Sequence, residues 1–300
     1  MARKLPPPDP EPLSPLIDAH THLAACGGRD AQSVREILDH AERVGVRAVV
    51  TVADDMVDAR WAVQAAEWDQ RAYAAVALHP THAHELTDAA KAELEQMAQH
   101  PRVVAIGETG LDYYWPAKAA SATADRPASD MPQVAPIDVQ REAFVWHIDL
   151  AKRVGKPLMI HNREAAASGG RSSTADLLEI LEAEGSPETV IMHCFSGDVA
   201  AAQECVRRGY LLSFSGTVSF TNATVLQDAA RVVPDELLLV ETDAPYLTPH
   251  PYRGHPNQSY CIPYTARALG EIRGQSPEQL AAVVTANAAR VYRIEPSWAQ

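Results

Sequence analysis

Eight short apolar runs alternate with segments of helical period along 300 residues, and this alternation predicts a (β/α)8 TIM barrel. Two further observations support it. The length suits an α/β barrel with a short extension. Ionisable residues also recur where the apolar runs stop: His20 and His22, Glu108, His161, His193 and Asp243. Barrel active sites form where the C-terminal ends of the strands meet. A doubly wound open sheet is the alternative, but no glycine-rich phosphate fingerprint follows the first strand.

The elements follow in order. Leu16 to His22 reads as the first strand, and simple alternation puts Asp18, His20 and His22 on one side. A helix is expected from Ser33 to Val44, with Ser33 and Glu36 as a capping box and Val34, Ile37, Leu38 and Ala41 as its apolar stripe. Val46–Val52 is the second strand, Met56–Gln70 a helix, and Ala72–Leu78 the third strand, ending at His79-Pro80. A helix over Thr87–Gln99 stops before Pro101, and Val103–Asp112 makes the fourth strand. Residues 115–137, rich in Ala, Ser, Pro and Asp without an apolar period, read as a long inserted loop, either a lid or selector over the barrel mouth or a disordered insertion with no role. The helical period resumes near Asp138 and stops at Gly155. Pro157–Ile160 is the fifth strand, ending at His161, and a Gly/Ser-rich turn leads to a helix around Leu177 and Leu181. Val190–Met192, ending at His193, is the sixth strand, and a helix over Val199–Arg207 follows. Tyr210–Phe214 is the seventh strand, then a short helix near Val225, and Leu237–Asp243 the eighth strand. The last helix takes Ser276 as its N-cap and Pro277 as its first residue and runs to Tyr292.

Composition bounds the function. No apolar run approaches ~20 residues, so no membrane span is expected. Residues 1–15 are proline-rich without an apolar segment, which predicts a disordered tail ahead of a single domain over 16–295. Cys26, Cys194, Cys205 and Cys261 form no CxxC pair and read as reduced thiols of a cytoplasmic protein. The net charge of -13 argues against a broad nucleic-acid-binding surface, while leaving room for a local phosphate site. No stable protein partner is expected.

Singly, each strand-end residue has an ordinary structural explanation. An HxH pair can be a polar rim, a lone His can cap a helix, and Asp243 before Ala244-Pro245 can be a turn residue. Together they would face one small volume. Four imidazoles and two carboxylates suit Zn²⁺, Mn²⁺, Co²⁺ or Ni²⁺, with Mg²⁺ on an oxygen-rich side. Six ligands exceed the need of one tetrahedral ion, which points to two divalent ions sharing a carboxylate and activating a hydroxide. Burial of Glu108 at a strand end would be costly without such cations.

The motifs Asp18-Ala19-His20-Thr21-His22, Gly107-Glu108-Thr109-Gly110-Leu111-Asp112-Tyr113, Ile160-His161-Asn162-Arg163-Glu164-Ala165, His193-Cys194-Phe195-Ser196-Gly197 and Glu241-Thr242-Asp243-Ala244-Pro245-Tyr246-Leu247 resemble those of the TatD-type metal-dependent deoxyribonucleases of the amidohydrolase superfamily. Ser213-Phe214-Ser215-Gly216 and Asn287-Ala288-Ala289-Arg290 fit as well, so the resemblance spans residues 16–292. It implies that His20, His22 and Asp243 hold one ion, His161 and His193 the other, and that Glu108 bridges them. It also implies that Asp243 takes the proton of the attacking water and that DNA phosphodiesters are hydrolysed, often from a 3′ end.

Arg163 is the candidate phosphate contact, against a salt bridge to Glu164 or another neighbour. His79 is a further substrate candidate, and Asp112 a candidate to orient a ligand. Two places depart from the family pattern. Thr81 stands where a second His is usual, and the run after the eighth strand keeps only Arg253 and Asn257. The expected substrate is DNA or an oligonucleotide. The same site would serve an ester or amide hydrolase, such as a D-aminoacyl-tRNA deacylase. A non-catalytic binding module is disfavoured, because no ligand position is lost.

Overall fold

The computed structural model describes residues 4–121, 133–165 and 172–295. Its eight strands are β1 (Leu16–Thr21), β2 (Val46–Val52), β3 (Ala72–Val76), β4 (Val103–Asp112), β5 (Leu158–Arg163), β6 (Val190–Met192), β7 (Leu211–Phe214) and β8 (Leu238–Val240). They pair in sequence order and every pairing is parallel. A parallel bridge between Thr21 and Ala244 joins the first strand to the chain just past the last. His22 N–H donates to Ala244 O at 2.8 Å and Asp243 N–H to His20 O at 3.0 Å, which ties two predicted ligand positions across this seam. The expected (β/α)8 barrel is therefore the fold.

Two apolar layers build it. Inside the barrel, Ile17, Val50, Ala75, Met159, Ile191 and Leu239 pack together, and small residues such as Ala19, Ala48 and Ala105 fit the narrow space. Val291 and Tyr292 join this layer, and the Tyr292 hydroxyl donates to Ala19 O at 3.0 Å. The second layer lies between strands and helices, with Phe144, Ile148, Leu177 and Leu269 facing Val49, Ile106 and Leu212. Loss of a buried ring such as Phe144 from this layer costs about 3–5 kcal/mol.

The helices are α1 (Ala31–Arg43), α2 (Met56–Trp68), α3 (Asp88–Ala98), α4 (Tyr114–Ala120), α5 (Ile137–Val154), α6 (Ser173–Glu184), α7 (Val199–Arg207), α8 (Thr224–Val232), α9 (Ile262–Arg273) and α10 (Pro277–Tyr292). Several details differ from expectation. The first helix is capped by Asp30, with Ser33 as the return arm of the box, because Asp30 is extended and accepts the Ser33 N–H. The helix α9 has no counterpart in the sequence reading. Pro263 in its first turn and Gly274 in the left-handed region past its end delimit it.

The expected loop begins instead as α4, where Pro116 is tolerated in the first turn and Ala117, Lys118, Ala119 and Ala120 favour helix. Residues 122–132, the rest of the proposed lid, lie outside the described residues. The expected disordered tail is, from residue 4 on, a strap against the barrel. Leu13 is buried and its N–H donates to Val44 O at 2.9 Å. Tyr260 and Tyr264 hydroxyls donate to the carbonyls of Pro7 and Pro8 at 2.7 and 3.0 Å. Prolines bring no N–H needing a partner, so the proline stretch of the strap docks through its carbonyls. No helix among the described residues is long and apolar enough to cross a membrane.

Candidate metal centre

All six strand-end residues converge. His20 Nε2 and His22 Nε2 are 3.2 Å apart, and each lies 3.6 Å from Glu108 Oε1. Asp243 Oδ1 completes this side, 3.6 Å from His20 Nε2 and 3.4 Å from His22 Nε2. On the other side Glu108 Oε2 lies 3.0 Å from His161 Nδ1 and 2.9 Å from His193 Nε2. The two oxygens of one carboxylate thus face two different pairs of imidazoles. Donors on one tetrahedral ion, at bonds of about 2.0–2.1 Å, stand about 3.4 Å from one another. The spacing and the nitrogen-rich donor set fit divalent ions on both sides of Glu108.

Local structure aims these groups. The β1–β2 register shifts between Asp18 and Thr21, and the β4–β5 register between Ile106 and Thr109, so the pairing is irregular around the candidate ligands His20 and Glu108. Asp18 is turned to the seam, where it accepts from Thr242 N at 2.9 Å and from Thr242 Oγ1 at 2.6 Å, fixing the residue before Asp243. Burial pushes the Asp18 carboxyl up to about 7.

Behind the imidazoles stand further carboxylates. Glu241 Oε1 accepts from Cys194 N at 2.8 Å and lies 3.1 Å from His193 Nδ1. Asp112 Oδ2 lies 3.2 Å from His161 Nε2, and Asp54 Oδ1 3.7 Å from His22 Nδ1. Such partners fix ring orientation and raise ligand basicity. Asp112 was a sequence candidate for this part, whereas Glu241 and Asp54 were not. Glu241 stood within a quoted motif, two residues before Asp243, and that was the signal available.

The electrostatics follow from burial and neighbours. Glu108 is 3% exposed; burial opposes its ionisation, yet His193, His161 and His20 hold it well below the usual carboxylate range. Burial and the neighbouring His193 keep His20 well below the ordinary histidine value. For His22 and His161 burial works against the charge, but Asp243 at the first and Asp112 with Glu108 at the second outweigh it and bring both to about 9. His193 is raised further still, since Glu108 and Glu241 overcome its burial. Metal ligation must release these protons.

The cluster forms the floor of a cavity of about 630 Å³, whose wall includes His79, Trp115, Arg163, Cys194 and Tyr246. His79 Nδ1 accepts the Thr81 N–H at 3.1 Å, so the proton of the neutral ring sits on Nε2, 3.3 Å from His161 Nδ1. Burial, then the neighbouring His161, lower His79 to about 3, which keeps it neutral. Glu164 turns away to the start of α6, accepting from Ser172 Oγ at 2.6 Å, Ser173 N at 2.9 Å and Thr174 N at 3.0 Å. Arg163 instead lies over the Tyr114 ring, 3.9 Å from its centroid. Asn257 serves as a brace rather than a wall residue, with its amide donating to Thr242 O at 3.0 Å and also to Tyr246 O.

Against this geometry, the family model "TatD related DNase" matches residues 17–293. The chain belongs to the TatD-related DNase family. A Mycobacterium tuberculosis protein named "uncharacterized metal-dependent hydrolase TatD" is 58% identical over 277 residues, covering 92% of this chain and 97% of that protein. A Musicola paradisiaca protein named "3'-5' ssDNA/RNA exonuclease TatD" is 30% identical over 264 residues, 86% of this chain and 91% of its own. Among solved structures, the TatD homologue YJJV of Escherichia coli K12 superposes with a TM-score of 0.77 at 25% identity, covering 93% of this chain and 98% of YJJV. As a TatD-family chain the protein is a metal-dependent hydrolase, and the His/Glu/Asp clusters described above are its candidate metal ligands.

Proposed function

We propose that the protein hydrolyses DNA phosphodiesters from a 3′ end, using two divalent ions. His20, His22 and Asp243 would hold one ion, His161 and His193 the other, with Glu108 shared between them. The observation that carries this reading is the division of Glu108, one oxygen toward His20 and His22, the other toward His161 and His193. When bound, the ions would lower the pKa of water and neutralise charge building on a phosphoryl oxygen.

The chain's own groups do the rest. Asp243, a cavity-wall carboxylate that faces the Nε2 atoms of both His20 and His22, accepts the proton of the attacking water. His79 offers its Nε2–H to an oxygen of the reacting phosphate as a neutral donor, and Arg163 supplies a guanidinium fork to the neighbouring phosphate. A cytoplasmic location belongs to this proposal and rests on four cysteines spaced without a pairing pattern.

The test is to assay the purified protein for bound metals and to follow 3′- and 5′-labelled single-stranded DNA beside an aminoacyl ester. Loss of nucleotides from the 3′ end, abolished by Glu108→Ala together with about half of the bound metal, is the expected result. Turnover that survives Glu108→Ala refutes the shared carboxylate. Turnover of the ester with intact DNA refutes the nuclease assignment.

A further inference from the structure

The wall formed by α4 and the end of β5 has a composition that the chemistry at the metal ligands does not require. Tyr114 and Trp115 stand edge to face with ring centroids 5.3 Å apart. Two cations lie against them: the Arg163 guanidinium 3.9 Å from the Tyr114 centroid, and Lys118 Nζ 4.5 Å from the Trp115 centroid. Lys118 also donates to the Tyr114 hydroxyl at 3.0 Å. Trp115 and Arg163 both line the cavity above Glu108 and His161. In a chain of net charge -13, two cations thus stand beside rings at the place where a polyanion would enter.

The wall is fixed to the site rather than hung beside it. Asp112 accepts the Trp115 N–H through Oδ1 at 3.0 Å and faces His161 Nε2 through Oδ2 at 3.2 Å. Tyr113 N–H donates to Arg163 O at 2.8 Å, joining the start of α4 to the end of β5. One carboxylate thus sets both a candidate ligand and the wall. His161 and Arg163 are two residues apart on β5, a rise of about 7 Å. That offset is comparable with the step between neighbouring phosphates along a single strand.

We infer that Tyr114, Trp115, Lys118 and Arg163 form a strand-binding subsite for single-stranded nucleic acid, next to the reacting phosphate. An unpaired base stacks on the Trp115 indole, while Lys118 and Arg163 take the phosphates that flank it. Aromatic faces hold any base with little sequence preference, and cations follow the backbone. A base held in a duplex stack cannot reach the indole, so the subsite selects unpaired ends. The inference deepens the nuclease reading above and rests on it for the identity of the reacting bond. It is tested separately from that bond.

Titration of the protein in EDTA with the oligonucleotide dT8 should quench tryptophan emission, and Trp115→Phe, which keeps a stacking face, should bind dT8 without that quench. Trp115→Ala should weaken dT8 binding about tenfold, and it should lower the preference in kcat/KM for dT8 over the dinucleotide dTdT by a similar factor. Lys118→Ala should reduce the dependence of log K on log salt by about 0.7, the contribution of one phosphate contact on a single strand. Wild-type affinity, quench and length preference in Trp115→Ala would overturn the subsite while leaving the nuclease reading intact. Binding and quenching by dT8 with no cleavage under any divalent ion would keep the subsite and remove the nuclease reading. Equal affinity of the wild type for dT8 and for a blunt duplex would overturn the selection of unpaired ends.

Discussion

Glu241 offers the sharpest test of how the candidate metal centre is held. Its side chain is fully buried, and one oxygen serves both Cys194 N–H at 2.8 Å and His193 Nδ1 at 3.1 Å. The other oxygen, Oε2, has no hydrogen-bond partner among the described residues. Glu241→Gln therefore keeps the accepting oxygen and removes only the charge, setting the new NH2 where no existing bond is broken. The imidazole of His193 stays in place but loses the negative charge that makes it a better ligand. Partners of this kind are worth 10–100-fold in metal affinity. The isosteric change should sit at the low end, about tenfold or roughly 1.4 kcal/mol. Glu241→Ala, which also frees the ring to turn, should approach a hundredfold. Competition with a coloured chelator gives the affinity, and circular dichroism checks that the barrel is intact. If both variants bind zinc with the wild-type Kd while folded, the carboxylate does not act on the metal ligand.

Other outcomes follow from parts of the fold outside the candidate metal ligands. His147 is fully buried, with Nδ1 2.7 Å from Ala143 O and Nε2 accepting the Leu78 N–H at 3.3 Å, and burial lowers it to about 4. The folded state thus resists a proton that the unfolded chain takes up near pH 6.5, so stability is full above that pH and falls toward pH 4. Urea unfolding in EDTA should show wild type losing about 2–3 kcal/mol more than His147→Gln between pH 7 and 4.5, and parallel pH curves would contradict it. Deleting residues 1–12 removes the acceptors of Tyr260, Tyr264 and Arg267, and at about 0.5–1.5 kcal/mol for each bond the unfolding free energy from urea titration should fall by about 2–4 kcal/mol, with a lower midpoint. An unchanged midpoint would show that the strap contributes nothing. At Gly216 an added Cβ would meet Leu247 O at 2.0 Å and Pro249 N at 2.9 Å. Gly216→Ala should therefore shift the segment that bears Tyr246 and Leu247, costing about 1–3 kcal/mol, and wild-type stability would refute that contact.

Much of this was legible because barrels put chemistry at strand ends. His161 and His193 became candidates because each follows a short apolar run, and Glu108 because it is a carboxylate inside one, but it was the whole set of strand-end residues that pointed to one site. The strap was not legible, because its partners Tyr260, Tyr264 and Arg267 lie some 250 residues away and proline-rich composition says nothing about them. The helix α4 was hidden by the low-complexity stretch that follows it. Glu241 and Asp54 were missed for a different reason: each acts on a ring whose ligand atom points the other way, and spacing along the chain carries no record of that.

The same limit explains Asp18. Strict alternation places Asp18, His20 and His22 on one face, and a regular strand would indeed set three ionisable groups in a row above the barrel core. Such a row would add a third carboxylate to the His20–His22–Asp243 side, competing with Glu108 for the same ion. The register shift between Asp18 and Thr21 removes that conflict. Asp18 turns to the seam and bonds Thr242, while His20 turns inward until its Nδ1 lies 3.2 Å from Met159 Sδ. The shift in β4 between Ile106 and Thr109 does the corresponding work for Glu108, letting one side chain reach imidazoles from β1, β5 and the residue after β6. Bulges re-aim side chains where a regular ladder cannot. A sequence pattern of period two records which residues are available to a site, and the two irregularities decide which of them the site receives.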